Sequence, residues 1–399
     1  MVNSSFAVGF LQGQAQYFQK TGFNVTICCP PHREEEWTVA RPEGISMKEV
    51  PMEREIAPRR DVVSLWRLWR LVRSRRPLIT NVGTPKAGLL GGLAAWLNRV
   101  PCRIYTLHGL RFETTKGFRR RLLLWSERLN CFFAHRIVCV SRSVREKAIA
   151  AGLATRDRLV ILGSGSCNGV DASRFAPSPK TLKRAAEVRR ELGIPMTAPV
   201  VLFVGRMTSD KGIPELLNAV SQLLPQFPEL RLMLVGCLEK GDPLPEAVRN
   251  LLESSSHIVR VGAVQDTAPY YVAADVLVLP SHREGLPTVV LEAQAAGIPV
   301  VGASATGIVD VITDGETGLL FPVGNAFALA EAITRILQDD VLANRLRQAG
   351  FEQVRRKFQQ EPIWDALREV YFQILKPNDR FRSSMPRTQG EKTLAARFH

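Results

Sequence analysis

The chain of 399 residues is long enough to bury two substantial cores, and a hydrophobic content of 45% excludes a disordered chain. Seven scattered cysteines without a CxxC pair exclude a structural zinc framework and point to a reducing compartment. The net charge of +15 is concentrated in residues 51–150, where 21 Lys and Arg face 6 Asp and Glu, a field suited to nucleic acid, an anionic membrane surface or a phosphorylated substrate.

At the start, only MVNSSFAV precedes a helical stretch near residues 10–20. FAV is a poor complete strand, so the first strand is expected to be short or missing; a start codon placed too far downstream would account for it. The order of these residues is not that of a signal peptide, and no apolar run reaches membrane-spanning length. NVTICC (24–29), PLITNV (77–82), RIYTLH (103–108), RIVCVS (136–141) and RLVILG (158–163) read as buried strands. Between them, VVSLWRLWRLVRSRRP (62–77) and RFETTKGFRRRLLLWSERL (111–129) set arginines beside Trp66, Trp69 and Trp125. The first suits an ordinary crossover helix equally well, whereas the second suits an interfacial helix on anionic lipid. No nucleic-acid module accompanies either, and no nucleic acid partner is expected.

FAPSPKTLKRAAEVRRELGIPMTAP is polar, proline-rich and only locally helical, and marks a domain boundary. Beyond it the layout repeats with PVVLFVGR (199–206), LRLMLVG (230–236), IVRVGAV (258–264), DVLVLPS (275–281), IPVVGAS (298–304) and GLLFPV (318–323). Helical patterns at 212–225, 267–273, 287–296 and 326–338 separate them. Continuous apolar strands joined by crossover helices mean parallel sheets covered on both faces. The expected class is α/β, with two doubly wound Rossmann-like domains facing across a cleft. The divisions are 1–175, a linker at 176–198, 199–360, a terminal helix at 361–376 that can pack back on the first domain, and a disordered tail at 377–399.

Candidate chemistry gathers where strands end. In FVGRMTSDKG, Arg206 leaves a strand and Lys211 adjoins a helix start, an arrangement that makes sense if an anion such as a diphosphate binds there. In SHREGLPTVVLEAQAAGIPV, Gly285 lets the loop after Glu284 approach a ligand, and Pro287 fits the first position of a helix. Glu292 lies on that helix in a direction that spacing leaves open. His108 ends a strand in TLHGL and can serve a ligand or a neighbouring loop equally. The histidines share no metal-ligand spacing, so no metal site is expected. Neither GxGxxG nor GxxxxGK[ST] occurs, which disfavours dinucleotide binding and P-loop phosphoryl transfer.

Together EGLPTVVLEAQAAGIPVV, VGRMTSDKG, GASATGIVDVITDGETGLLF and LHG resemble the family 4 glycosyltransferases, retaining enzymes of GT-B architecture. The resemblance implies a UDP-sugar as co-substrate and no other cofactor. It gives donor sugar and phosphates to Glu284 with the backbone of Gly285, Leu286 and Pro287, ribose to Glu292, diphosphate to Arg206 and Lys211, and the transferred sugar to His108. Catalytic parts fall on Glu284, His108, Arg206 and Lys211. TPKAGLLGGLAAWLNRVPCRIYTLHGLRF, CVSRS and GSGSCNGVD further resemble transferases that add N-acetylgalactosamine α-1,3 to undecaprenyl-diphosphate-linked bacillosamine. That resemblance implies a polyprenyl-diphosphate-linked acceptor and a cytoplasmic protein peripheral on the inner face of the cell membrane. Alternatives are a soluble transferase to a small sugar, or an inactive GT-B protein binding anionic lipid or nucleic acid.

Overall fold

The computed structural model describes residues 11, 13–31, 44–52, 57–239 and 244–375. In the N-terminal half, strands β1 (Thr26–Cys29) and β2 (Ser46–Glu49) pair in parallel, apart from a parallel sheet of β3 (Ile79–Gly83), β4 (Cys102–Leu107), β5 (Arg136–Cys139) and β6 (Leu159–Val160). In the C-terminal half, β7 (Val200–Val204), β8 (Arg231–Val235), β9 (Ile258–Gly262), β10 (Val276–Leu279), β11 (Val300–Ala303) and β12 (Leu319–Phe321) form one parallel sheet. Its order is β12-β11-β10-β7-β8-β9, a doubly wound arrangement with the first strand at the centre. Every residue of β7 and β10 is buried, because helices cover both faces of the sheet.

The two halves follow the same winding. In the larger N-terminal sheet β3, β4 and β5 follow one another as β10, β11 and β12 do in the second sheet, while β1 and β2 pair side by side as β8 and β9 do. Among the described residues no strand joins the β1-β2 pair to the sheet that begins at β3. MVNSSFAV, expected to form a short first strand or none, lies outside the described residues, as does the tail at 377–399.

Several boundaries differ from the sequence reading. SMKE carries no apolar signature, yet it pairs as β2. The run at 158–163 is a strand only over Leu159–Val160, its last residues turning toward the cleft. The expected linker contains a helix over Pro179–Glu191, started by Ser178, whose hydroxyl accepts the Thr181 N–H at 3.1 Å. Ala185, Val188 and Ile194 belong to the C-terminal core, and the Arg189 guanidinium donates to the carbonyls of Ala273 (2.8 Å) and Ala198 (3.0 Å) and to Asp275 (3.1 Å). Proline and charge there mark a helix start and its wet face.

The last helix, Gln360–Leu375, returns to the N-terminal half. Ile363, Leu367, Val370, Tyr371 and Leu375 pack with Phe18, Ile104, Val138 and Leu162, and the Trp364 indole donates to Asn168 at 2.8 Å. The chain therefore crosses between the halves twice, and the crossings touch where the Val170 N–H donates to the Phe358 carbonyl at 2.8 Å.

One buried polar cluster fixes the helix Gly117–Phe133 to the sheet. Glu127 accepts from the hydroxyl of Tyr105 at 2.7 Å and from Asn130 at 3.4 Å. Burial raises its carboxyl from 4.5 to about 7, against the lowering effect of those hydrogen bonds. The folded state therefore holds a proton that the unfolded state has released, and stability falls as pH rises from about 4.5 to about 7 and is level above. Glu127→Gln should remove this slope, leaving the variant up to ~3 kcal/mol more stable than the parent at pH 8 and equal to it near pH 4.5. Urea denaturation across that pH range measures both curves.

Candidate active site

The carboxyl ends of the two sheets face each other across a cavity of about 580 Å³. From the C-terminal half it is lined by Gly205, Arg206, Asp210, Lys211 and the run Arg283 to Val289. Gly83, Thr84, Thr106, His108 and Ser166 line the opposite side, and Phe18, Ile79, Val138, Leu162 and Leu367 its apolar inner end. Arg206 follows β7, Glu284 follows β10 and His108 follows β4, so parallel winding brings to one place residues far apart in the chain.

Two glycines make the approach possible. A Cβ on Gly212, at φ +73°, would stand 2.2 Å from the Pro280 carbonyl oxygen. Only glycine lets the SDK turn pass there into the helix Ile213–Leu223 and leave Lys211 at the cavity wall. A Cβ on Gly285 would stand 1.8 Å from the His108 carbonyl oxygen, so the Glu284–Pro287 loop and the LHG loop meet backbone to backbone.

Each cation on this wall holds a carboxylate. Lys211 Nζ lies 2.5 Å from Glu284, Arg206 is paired with Glu239, and Arg283 lies 3.0 Å from Asp210. Burial works to raise the Asp210 carboxyl, but the Thr208 hydroxyl at 2.6 Å and the nearby cations, Arg283 foremost, hold it below its usual range. The Arg206 side chain is half exposed, whereas the Lys211 pair is largely covered.

Gly285, Leu286 and Pro287 line the cavity beside Glu284. Pro287, expected as the first helical residue, is instead the N-cap of the helix Thr288–Ala295; its ψ of 101° is extended, so the helix begins one residue later. Glu292 is not in the cavity wall. It points toward the helix Ala268–Val272, where the Tyr271 hydroxyl donates to it at 2.7 Å. Burial raises its carboxyl above the usual range, opposed by that hydrogen bond.

Across the cavity, a Cβ on Gly83 would stand 2.8 Å from His108 Nε2, so the imidazole packs directly on the backbone of β3. Burial pushes His108 down to about 4 and keeps it neutral. Among the described residues no group of three His, Cys, Asp or Glu side chains could hold a metal. Asp210, Arg283 and Glu239 are not singled out by the sequence. Arg283 adjoins Glu284 and Asp210 lies within the SDK turn, but Glu239 gives no local sign.

On the outer side of the N-terminal half, helices Pro58–Arg75, Pro85–Leu97 and Gly117–Phe133 pack in succession. The first buries Ser64, Leu68 and Val72, so it is a packed crossover helix, yet Trp66 and Trp69 remain exposed. Phe118 is 78% exposed, Trp125 63% and Phe132 61%, and Arg70 and Arg128 lie over the rings of Trp66 and Trp125 at 5.5 and 5.9 Å. Among the described residues no helix is long and apolar enough to cross a membrane.

Two parallel-sheet α/β domains with their carboxyl edges facing across a cavity form the GT-B architecture of glycosyltransferases. Residues 185–353 match the family described as glycosyl transferases group 1, and residues 10–165 match the glycosyl transferase 4-like domain. The chain is 32% identical over 379 residues to the capsular polysaccharide biosynthesis glycosyltransferase CapM of Staphylococcus aureus, covering 95% of this chain and 97% of that protein. It is 27% identical over 292 residues to the UDP-Gal:alpha-D-GlcNAc-diphosphoundecaprenol alpha-1,3-galactosyltransferase of Escherichia coli, covering 72% and 74% of the two chains. The structure of Anabaena HepE in complex with UDP and glucose has the same fold, with a TM-score of 0.75 at 18% identity over 92% of this chain and 97% of that one. The chain belongs to the glycosyl transferases group 1 family, and it is a glycosyltransferase.

The buried, neutral His108 carries a prediction. Its imidazole signals in NMR should stay constant from pH 8 to pH 5 and move only toward about pH 4. Because its folded value is depressed, any stability linked to it is lost as pH falls from about 6.5 through 4.

Proposed function

We propose that this protein is a retaining transferase that moves a hexose or N-acetylhexosamine from a UDP-sugar to a polyprenyl-diphosphate-linked saccharide during surface polysaccharide or glycoconjugate assembly. The observation that carries the reading is the convergence of Arg206, Lys211 and the Glu284–Pro287 loop with His108 on one cavity. CapM and the Escherichia coli galactosyltransferase support the biosynthetic setting by their names, the latter naming both a UDP-sugar and a diphosphoundecaprenol acceptor. The HepE complex with UDP and glucose supports the donor class. Transfer of N-acetylgalactosamine to lipid-linked bacillosamine, implied by the N-terminal motifs, is one member of this substrate class.

The donor diphosphate would take over Lys211 and Arg206, exchanging with the carboxylates of Glu284 and Glu239 that hold them without ligand. As the bond from the anomeric carbon to the leaving phosphate oxygen breaks, negative charge grows on UDP next to two fixed cations. Glu284, released from Lys211, would face the sugar hydroxyls together with the backbone of Gly285 to Pro287. Neutral His108 would hydrogen-bond the transferred sugar from the other side. The ribose hydroxyls fall to Glu292 by the family resemblance alone, since its carboxylate is held by Tyr271 and is outside the cavity wall. Neither glutamate is assigned as a nucleophile.

The exposed aromatic and arginine face suits the lipid part of such an acceptor. Indole and phenyl rings settle at the headgroup level while arginines meet lipid phosphates. With such an acceptor the protein would sit peripherally on the inner face of the cell membrane.

Purified protein, labelled UDP-sugars and lipid-linked acceptors test the reading. Transfer is expected with at least one donor, and Lys211→Ala should lower kcat/KM by roughly 100-fold. Absence of both transfer and UDP-sugar hydrolysis by folded protein across a broad donor panel overturns it. Flotation with anionic liposomes should weaken in Trp66→Ala/Trp125→Ala, and absence of lipid association in the parent would favour a small soluble acceptor.

A further inference from the structure

We propose that Ser143 and Asp310 form a latch across the cleft that holds the Glu284–Pro287 loop in register with His108, making both of them positioning residues for transfer. This rests on the glycosyl-transfer reading for its catalytic consequence, but not for the latch itself.

Ser143 is the second residue of the helix Arg142–Ala150 in the N-terminal half. The first N–H groups of a helix have no partner within it, and here the Ser141 hydroxyl serves only that of Val144. The Ser143 N–H is met from the other half of the molecule, by Asp310 Oδ1 at 3.1 Å. The Ser143 hydroxyl donates to Asp310 Oδ2 and accepts the Gly307 N–H at 2.8 Å. One serine thus uses its amide, its hydroxyl proton and its hydroxyl oxygen on a segment 164 and 167 residues further along the chain. A carboxylate at a helix N-terminus is favoured by the helix dipole, and its bonds are charge-assisted.

The latch acts on the loop that carries Glu284. Thr306, next to Gly307, accepts the Glu284 N–H on its carbonyl at 2.9 Å and donates its hydroxyl to Glu113 at 2.7 Å. A Cβ on Gly307 would stand 2.5 Å from the Gly285 carbonyl oxygen, so these two loops are in direct backbone contact. Gly285 in turn rests on the His108 carbonyl. Pulling Asp310 away from Ser143 removes the support behind Thr306 and Gly307, and through them the support behind Glu284 and Gly285. Neither Ser143 nor Asp310 lines the cavity, so their effect on transfer is indirect.

Ser143→Ala, Asp310→Ala, the double variant and Ser143→Thr, which keeps the hydroxyl, test the proposal in the full-length protein. Hydrogen exchange at the amides of Ser143 and Gly307 should accelerate at least about tenfold in the alanine variants and stay near the parent in Ser143→Thr. With a donor that the parent uses, kcat should fall about tenfold or more while KM for the donor changes less than about threefold. The double variant should be no worse than the poorer single one, because both remove the same contact. Unchanged exchange at both amides overturns the latch. Accelerated exchange with kcat within about twofold of the parent overturns its positioning role, as do losses that multiply in the double variant. If the parent transfers no sugar, the function proposed above fails while exchange still decides whether the latch exists. Should Asp310→Ala fail to fold, exchange and kcat in Ser143→Ala and Ser143→Thr decide both points.

Discussion

Everything at the cleft depends on how closely two loops approach, where Gly285 rests on the carbonyl of His108 with no room for a side chain between them. That contact is available only because parallel strands deliver both loops to facing sheet edges. Around it lie three further glycine approaches, at Gly83, Gly212 and Gly307. The site is therefore built largely from backbone surfaces pressed together, with charged side chains set at the margin of the contact.

Those charges are arranged in pairs, with Arg206, Lys211 and Arg283 each resting on a carboxylate. Pairing keeps covered charges from standing alone, which would be costly in a partly dry cavity. It also keeps Lys211 in position before any ligand arrives. In the proposed reaction an incoming diphosphate would exchange one anion for another, so its binding would need little rearrangement of the wall. The neutral imidazole opposite adds no competing charge to the same space.

Much of this is legible in the sequence, for reasons that can be given residue by residue. VVLFV, RLMLV and VLVL are continuous apolar runs and form central strands. Arg206 and Lys211 stand out because two cations close to a helix start are unfavourable unless an anion binds there, whereas Glu284 is marked by its place in the family motif EGLPTVVLEAQAAGIPVV. SMKE escapes notice because a strand half in solvent need not look apolar. Glu239 is invisible, since its value comes from Arg206, 33 residues away in sequence and adjacent only after β7 and β8 pair. The direction of Glu292 is likewise undecidable from spacing, because the partner that orients it, Tyr271, belongs to another helix. The local helicity of the stretch after Phe175 is realised as the helix Pro179–Glu191, which Ser178 and Pro179 start, and its packing on the C-terminal core is what composition does not reveal.

The double crossing between the halves has a mechanical meaning. Two adjacent strands of backbone, hydrogen-bonded where Val170 meets Phe358, make a ribbon instead of a single tether. A single tether allows swivel in every direction, but a ribbon bends readily about one axis and resists twist. Displacement between the halves then grows with distance from the ribbon. Any rotation about that axis would separate the far rim of the cleft the most, and the ribbon would guide it back along the same arc.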